Sequence, residues 1–467
     1  MTARFSLRRS RTLWLLVLIH SLLLAPLIRS APAAYAVDPG CTHTFEPPAS
    51  PNTTTKIDSL DYPTIQPGSV ICLQAGTWGN IQLKNLAGSP GNPITIRNIG
   101  GTTYITGTTL ANGGIGIRNS RYLHITGTGV SDKCGAKYER HEQECGIEIA
   151  YALKGIRIET EAGENVDGLE IDHVYIHDVA NPARPTDARG INIHPVAGGP
   201  GIPPQIVVGF SVHHNYLYNM LGEGIYIGTE PHGQPFEELA KLEDVEASYN
   251  RIEQIGYDGI KIKVAIRNVK VHHNVVLRAG QLQNPTHNAG IQIAFSVGEY
   301  YNNYVETELE GLVMGRILAH PGTKYYNNVV VGADHCMIMP EDGALIYNNT
   351  IVGCRSLGIS GAGTGTRIFD NIVAGSATTP IDAPVANRGT NLVMPIESVH
   401  FVNPNARDYH LTPISAAVDS GGGMGMFPTF DYDDRARPFG PQPDLGAYEC
   451  QCASALTEKL FLPALRR

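Results

Sequence analysis

"YDGIKIKVAIRNVKVHHNVVLRAG", Tyr257–Gly280, holds both patterns on which the fold turns. Alternation in "GIKIK" and "NVKVHHN" sends one side chain inward and the next outward, with Ile and Val inside. Strands this short cannot bury an apolar face alone, so further copies must stack on them. The stretch also gathers Lys261, Lys263, Arg267, Lys270 and Arg278 against one acid, Asp258, in a chain whose formal charge is −9. Its neighbours must therefore explain a fold and a local excess of positive charge.

Copies of the first pattern lie on either side. Gly-led apolar strands recur as "GIEIA" at 146, "GINIH" at 190, "GIYIG" at 224, "GIQIA" at 290, "GLVMG" at 311 and "GISGA" at 358. Between them falls an Asn followed by β-formers: Asn215, Asn250, Asn274, Asn303, Asn328, Asn349 and Asn371, spaced by 35, 24, 29, 25, 21 and 22 residues. A minimum near 21 with variable excess marks a solenoid carrying loop insertions. Parallel stacking sets each Asn above the last, where amides bond to one another and to the turn backbone, so these asparagines read as structural. The series predicts roughly ten coils of ~22 residues, from about Ile57 to about Ala383, then a small β-rich cap.

The amino terminus sets the expected compartment. Arg4, Arg8, Arg9 and Arg11 precede an apolar run and Ala34-Tyr35-Ala36, the pattern of a secretory signal over residues 1–36. Residues 37–56 then lead in to a helix over 57–383, a cap over 384–452 and a tail over 453–467. Cleavage removes five arginines and no acid, taking the balance from −9 to −14, which argues against a nucleic-acid partner. No later run approaches the ~20 apolar residues of a membrane helix. All eight cysteines survive cleavage, and export favours disulfides. Cys134–Cys145, bracketing a charged loop, and Cys336–Cys354, on neighbouring turns, are the expected pairs. Gly is 51 of 467 residues, above the average of about 7%, and helix-forming runs are scarce. "PFEELAKLED" is the exception, a short helix by composition.

Over most of residues 60 to 380 the chain resembles the right-handed parallel β-helix proteins. "PTIQPGSVICLQAGTWGNIQLKNLAGSPGNPITIRN", residues 63–98, is similar to the first coil of secreted polysaccharide lyases, with Ser69 where that pattern has Asp. "SAAVDSGGG", "DYDDRARP" and "PDLGAYE" resemble the carboxyl-terminal module called choice-of-anchor Q. The resemblance implies an all-β fold, a right-handed parallel β-helix, and a secreted or surface-associated monomer acting on polysaccharide. Galacturonan hydrolases of this fold carry "NTD", "DD" and "GHG"; this chain has no NTD or GHG, and its one DD, Asp433-Asp434, lies in the terminal module.

If the Gly-Ile strands stack in register, Glu148, Asn192, Tyr226, Lys261 and Gln292 form one outward file. Coils lie ~4.8 Å apart, so the file spans several sugar rings; the alternative reading is a solvated sheet face. Insertions follow "GINIH" and "GIYIG" but not "GIKIK", which makes the lysine coil a floor between loop walls, with "QLQNPTHNAG" approaching from the far side. An acidic glycan needs a local positive site on an acidic protein. β-Elimination needs that neutralisation, a base for the proton beside the carboxyl group, and an acid for the leaving oxygen. Lys261 is the candidate base, its proton loosened by Lys263 ~7 Å away. Lys263 or Arg267 would hold the carboxylate.

Adjacent histidines in "HHN" at 213 and 272 point to opposite faces and cannot chelate one ion as a pair. His194 and His232 are better placed for sugar contact or proton transfer. Asp258, Glu223 and Glu230 make Ca2+ a candidate ligand, or could serve as a hydrolase's carboxylate pair. Three classes stay open: a lyase on an acidic glycan, a glycoside hydrolase, and a non-catalytic glycan binder.

Overall fold

Stacking of alternating strands produces two parallel sheets around one core. The computed structural model describes residues 40–452 except 107–112, 129–130, 132, 160–163, 165, 196–204, 230–234, 317–321 and 376–377. The expected leader, 1–36, and the tail, 453–467, lie outside the described residues. Among the described residues, no helix is long and apolar enough to cross a membrane.

Twelve short strands, from Thr55–Asp58 to Thr379–Asp382, make an all-parallel sheet, each pairing with the strand of the next coil. Twelve exceeds the roughly ten coils expected between Ile57 and Ala383. The other sheet has 22 strands. The chain is thus the right-handed parallel β-helix expected, a topology whose parallel crossovers take the usual hand. Ile191, Ile225, Ile260, Ile291 and Leu312 pair in register and are all buried. Each such side chain contributes about 1.5–3 kcal/mol by burial.

The asparagine corner is a continuous ladder. Nδ2 of Asn215 donates to Oδ1 of Asn250 at 3.0 Å, and the bond repeats through Asn274, Asn303, Asn328, Asn349 and Asn371 to Asn391. The residue before each of the first seven rungs, from His214 to Asp370, is left-handed, with φ between 51° and 57°. That single residue turns the chain between strands, and the buried amide satisfies the carbonyls the turn releases.

Two local expectations fail for tertiary reasons. "PFEELAKLED" is one 3-10 turn, Phe236–Glu238, followed by the strand Lys241–Ser248, not a helix. Pairing with Ile206–His213 and Ala265–His272 on either side, with Leu242 and Val245 in the core, overrides the local preference. The terminal module is also poorer in strand than expected, with one antiparallel pair, Phe401–Asn403 and Asp408–Leu411, among turns. It packs along the flank of several coils, where Val329, Val352 and Ile372 meet Val399, Phe401, Tyr409, Leu445 and Tyr448. Asn302, Asn327 and Asn348 donate to the carbonyls of Asp431, Phe430 and Asp444. The module's motif residues form a buried knot: Glu449 holds Arg437 at 2.9 Å and the Asp444 N–H at 3.0 Å, while Asp431 takes the N–H of Glu449.

Both expected disulfides, Cys134–Cys145 and Cys336–Cys354, are present, with Cys41–Cys72 tying the lead-in to the first long strand. Cys450 pairs with Cys452.

Candidate functional site

Four of the five residues expected in one outward file stand in it. Asn192 pairs with Tyr226, Tyr226 with Lys261, and Lys261 with Gln292 on successive coils of the 12-stranded sheet. Glu148 does not belong. Its strand, Ile147–Ala150, lies in the 22-stranded sheet beside Tyr104 and Tyr175, where the carboxylate meets His177 at 3.0 Å. Arg157 of "GIRIE" takes the place beside Asn192. A Gly-Ile start marks any strand leaving a turn, so the motif alone does not say which sheet receives it.

A second file runs beside the first. Lys154, Arg189, Glu223 and Asp258 each precede the glycine of a strand, and their carbonyls accept the N–H of Gly114, Gly155, Gly190 and Gly224 at 2.8, 2.9, 3.0 and 3.0 Å. Two bases are thus followed, one coil at a time, by two acids.

The files meet at Lys261. Its side chain is only 1% exposed, and Nζ donates to Asp258 Oδ2 at 2.6 Å. Nζ also lies 2.7 Å from His287 Nδ1 and 3.9 Å from Glu223 Oε1. Asp258 Oδ1 accepts the Ala289 N–H, and Glu223 Oε2 accepts from Arg189 Nε at 3.1 Å. Both carboxylates are fully buried, whereas His287 is 20% exposed and stacks on Tyr257. Hydrogen bonding to Asp258, then to Glu223, raises the pKa of His287 above its ordinary value, against burial and the Lys261 charge. The charges nearest Lys261 Nζ are therefore carboxylates, contrary to the expected like-charge pairing with Lys263.

Positive groups stand on the strand of Lys261 and on the coils before it. The Arg189 guanidinium lies 4.0 Å from the centre of the Tyr226 ring and donates to Asn192 Oδ1; Lys263 Nζ lies 5.5 Å from the same ring. Burial, then the charge of Arg157, pushes the Lys154 ammonium down to about 8. His194 donates through Nδ1 to the Gly228 carbonyl at 3.1 Å, and Gln292 to the Thr286 carbonyl at 3.3 Å. Arg267 is not at the site: it lies on Ala265–His272 of the other sheet, paired with Glu243 and Asp244. Glu230 and His232 lie outside the described residues.

No protein-family model matches the chain, and no curated protein matches it. Solved structures do. A variant of the PL6 family alginate lyase AlyGC aligns at 14% identity over 73% of this chain and 51% of that one, TM-score 0.43. Pectate lyase Pel9A aligns at 12% identity over 84% and 90%, TM-score 0.39, and the GH136 lacto-N-biosidase from Eubacterium ramulus at 14% over 74% and 68%, TM-score 0.39. This chain spans about half the length of the alginate lyase. Identities this low leave the chemistry to be read from the side chains.

Those side chains favour proton transfer at a cationic surface. Glu223 and Asp258 converge with His287 closely enough to hold a cation, but the Lys261 ammonium already stands among them, and Ca2+ would have to displace it. Both carboxylates are buried against the same ammonium, and Glu230, the third acid expected for a hydrolase pair, lies outside the described residues. His287, Arg189, Arg157 and Lys154 were missed in the sequence. Three of them had a signal: Lys154 and Arg189 in the charged file before each glycine, and His287 inside "QLQNPTHNAG".

Proposed function

We propose that the chain is an exported carbohydrate-active β-helix protein that cleaves an acidic, uronate-containing polysaccharide by β-elimination at the His287–Lys261 cluster. One observation carries the reading: a partly exposed imidazole is held by Lys261, Asp258 and Glu223, with Arg189 bonded to Glu223 and Lys263 on the strand of Lys261, in a chain of net charge −9. Lys261 is too buried to touch a substrate in this arrangement and acts through His287. Neutral His287 takes the proton from the carbon beside the uronate carboxylate, whose developing charge the Arg189 and Lys263 region neutralises. The electron pair forms the new carbon–carbon double bond, the glycosidic C–O bond breaks, and the leaving oxygen takes a proton from solvent.

The test is a panel of acidic and neutral polysaccharides with ultraviolet detection of the unsaturated uronide. His287→Gln and Lys261→Ala should each lose 10²- to 10⁴-fold in rate. Lys263→Ala should lose less, and its deficit should shrink at high salt as exposed charge is screened. Lys270→Ala, on the other sheet, should match the wild type. Binding without product, or cleavage of neutral glycans alone, would refute the reading.

A further inference from the structure

A group of side chains on the 22-stranded sheet plays no part in that chemistry. Strand Leu169–Asp172 presents Glu170 and Asp172 on one face. It pairs on one side with Leu123–Thr126, setting His124 beside Glu170, and on the other with Ile206–His213, setting His213 beside Asp172. Two carboxylates from one coil are thus flanked by an imidazole from the coil before and one from the coil after. The alternation that forbids His213 and His214 from pairing as ligands permits this, because the donors come from three coils.

The donor atoms converge. His213 Nε2 lies 3.1 Å from Glu170 Oε1 and 3.9 Å from Asp172 Oδ2; His124 Nε2 lies 3.9 Å from Glu170 Oε1 and hydrogen-bonds Asp172 Oδ2 directly. Donors around a tetrahedral ion bound at about 2.0–2.1 Å stand about 3.3 Å apart, so the His124–Asp172 contact must open and the two 3.9 Å separations must close slightly; His124, Glu170 and Asp172 already offer donor atoms within 4.8 Å of one another, with His213 adjoining both carboxylates. The remaining oxygen of Asp172 accepts from Thr126 Oγ1 at 2.6 Å and from His173 Nδ1 at 2.5 Å, the outer support that orients a metal-binding carboxylate. Asp172 is 4% exposed, whereas Glu170 is 43% exposed and opens into a groove of about 470 Å³ lined also by Ser211, Glu246 and Lys270. An ion has both a rigid seat and a way in.

We propose that His124, Glu170, Asp172 and His213 bind one divalent transition-metal ion of the Zn2+ class, cross-linking three consecutive coils. Two imidazole nitrogens select such an ion over Ca2+ or Mg2+, which take oxygen ligands. The assignment is independent of the chemistry at His287.

The probe is Co2+ added to the metal-stripped full chain, followed by its visible absorption and by calorimetry, with Zn2+ as competitor. One Co2+ should bind per chain with a four-coordinate spectrum, and Zn2+ should displace it. His124→Ala and His213→Gln should each weaken binding at least tenfold, and Thr126→Val by 10- to 100-fold through loss of outer support. His272→Ala, further along the file of His213, should bind normally. If His124→Ala does not fold, His213→Gln still tests the site. No Co2+ binding, binding unchanged in His213→Gln, or binding of Ca2+ in preference to Co2+ and Zn2+ would each overturn the proposal.

Discussion

Glu223 links Arg189 to the His287–Lys261 cluster. Burial alone would raise its pKa; hydrogen bonding to His287 and the charges of Arg189 and Lys261 outweigh burial and hold it below the ordinary carboxylate value. In return it helps to raise the pKa of His287. His287 must be neutral to accept a proton, so activity should rise with pH through an acid limb lying above 6.5, the ordinary histidine value. Glu223→Gln removes an anion that favours the imidazolium, which lowers that pKa, and the limb of kcat/KM should move to lower pH. A limb that stays in place would separate His287 from the proton transfer. The sequence showed Lys261, Asp258 and Glu223 as chemistry; the Lys261–Asp258 contact is local, three residues apart, but Glu223 comes from the coil before and the partner His287 from a loop, so their convergence was not legible.

The asparagine ladder is the element most exposed to a single change. Asn303 Nδ2 donates to the Val271 carbonyl at 2.9 Å and to Asn328 Oδ1 at 3.0 Å, while its own oxygen receives Asn274. Asn303→Ala leaves buried groups unpaired on both neighbouring coils, at about 1–3 kcal/mol for each group. Asn391 sits at the end of the ladder, half-buried, and receives Asn371 alone. Asn391→Ala should therefore cost clearly less, as read from urea midpoints at constant slope. Equal losses would mean that each amide serves only its own turn. This element was legible because a buried polar side chain at one corner must repeat with every coil, and a repeat leaves a period in the sequence.

For the whole molecule, the terminal module acts as a side buttress. It covers Val329, Val352 and Ile372 and binds the amides of Asn302, Asn327 and Asn348. A chain ending after Met394 would expose that apolar flank, and it should lose soluble yield and scatter light where the full chain does not. A soluble, monomeric truncation of unchanged unfolding temperature would show that the coils need no buttress. Legible in the chain alone were the parallel helix, the asparagine corner, the pairs Cys134–Cys145 and Cys336–Cys354, and the file from Asn192 to Gln292. Each follows from a local rule repeated coil after coil: alternation in the strand, an amide at the turn, a short loop to close. Tertiary packing alone placed Glu148 and Arg267 on the other sheet, brought His287 to Lys261, and set His124 and His213 beside Glu170 and Asp172. Insertions of unequal length separate these residues along the chain, and stacking at a fixed coil spacing brings them together irrespective of that separation.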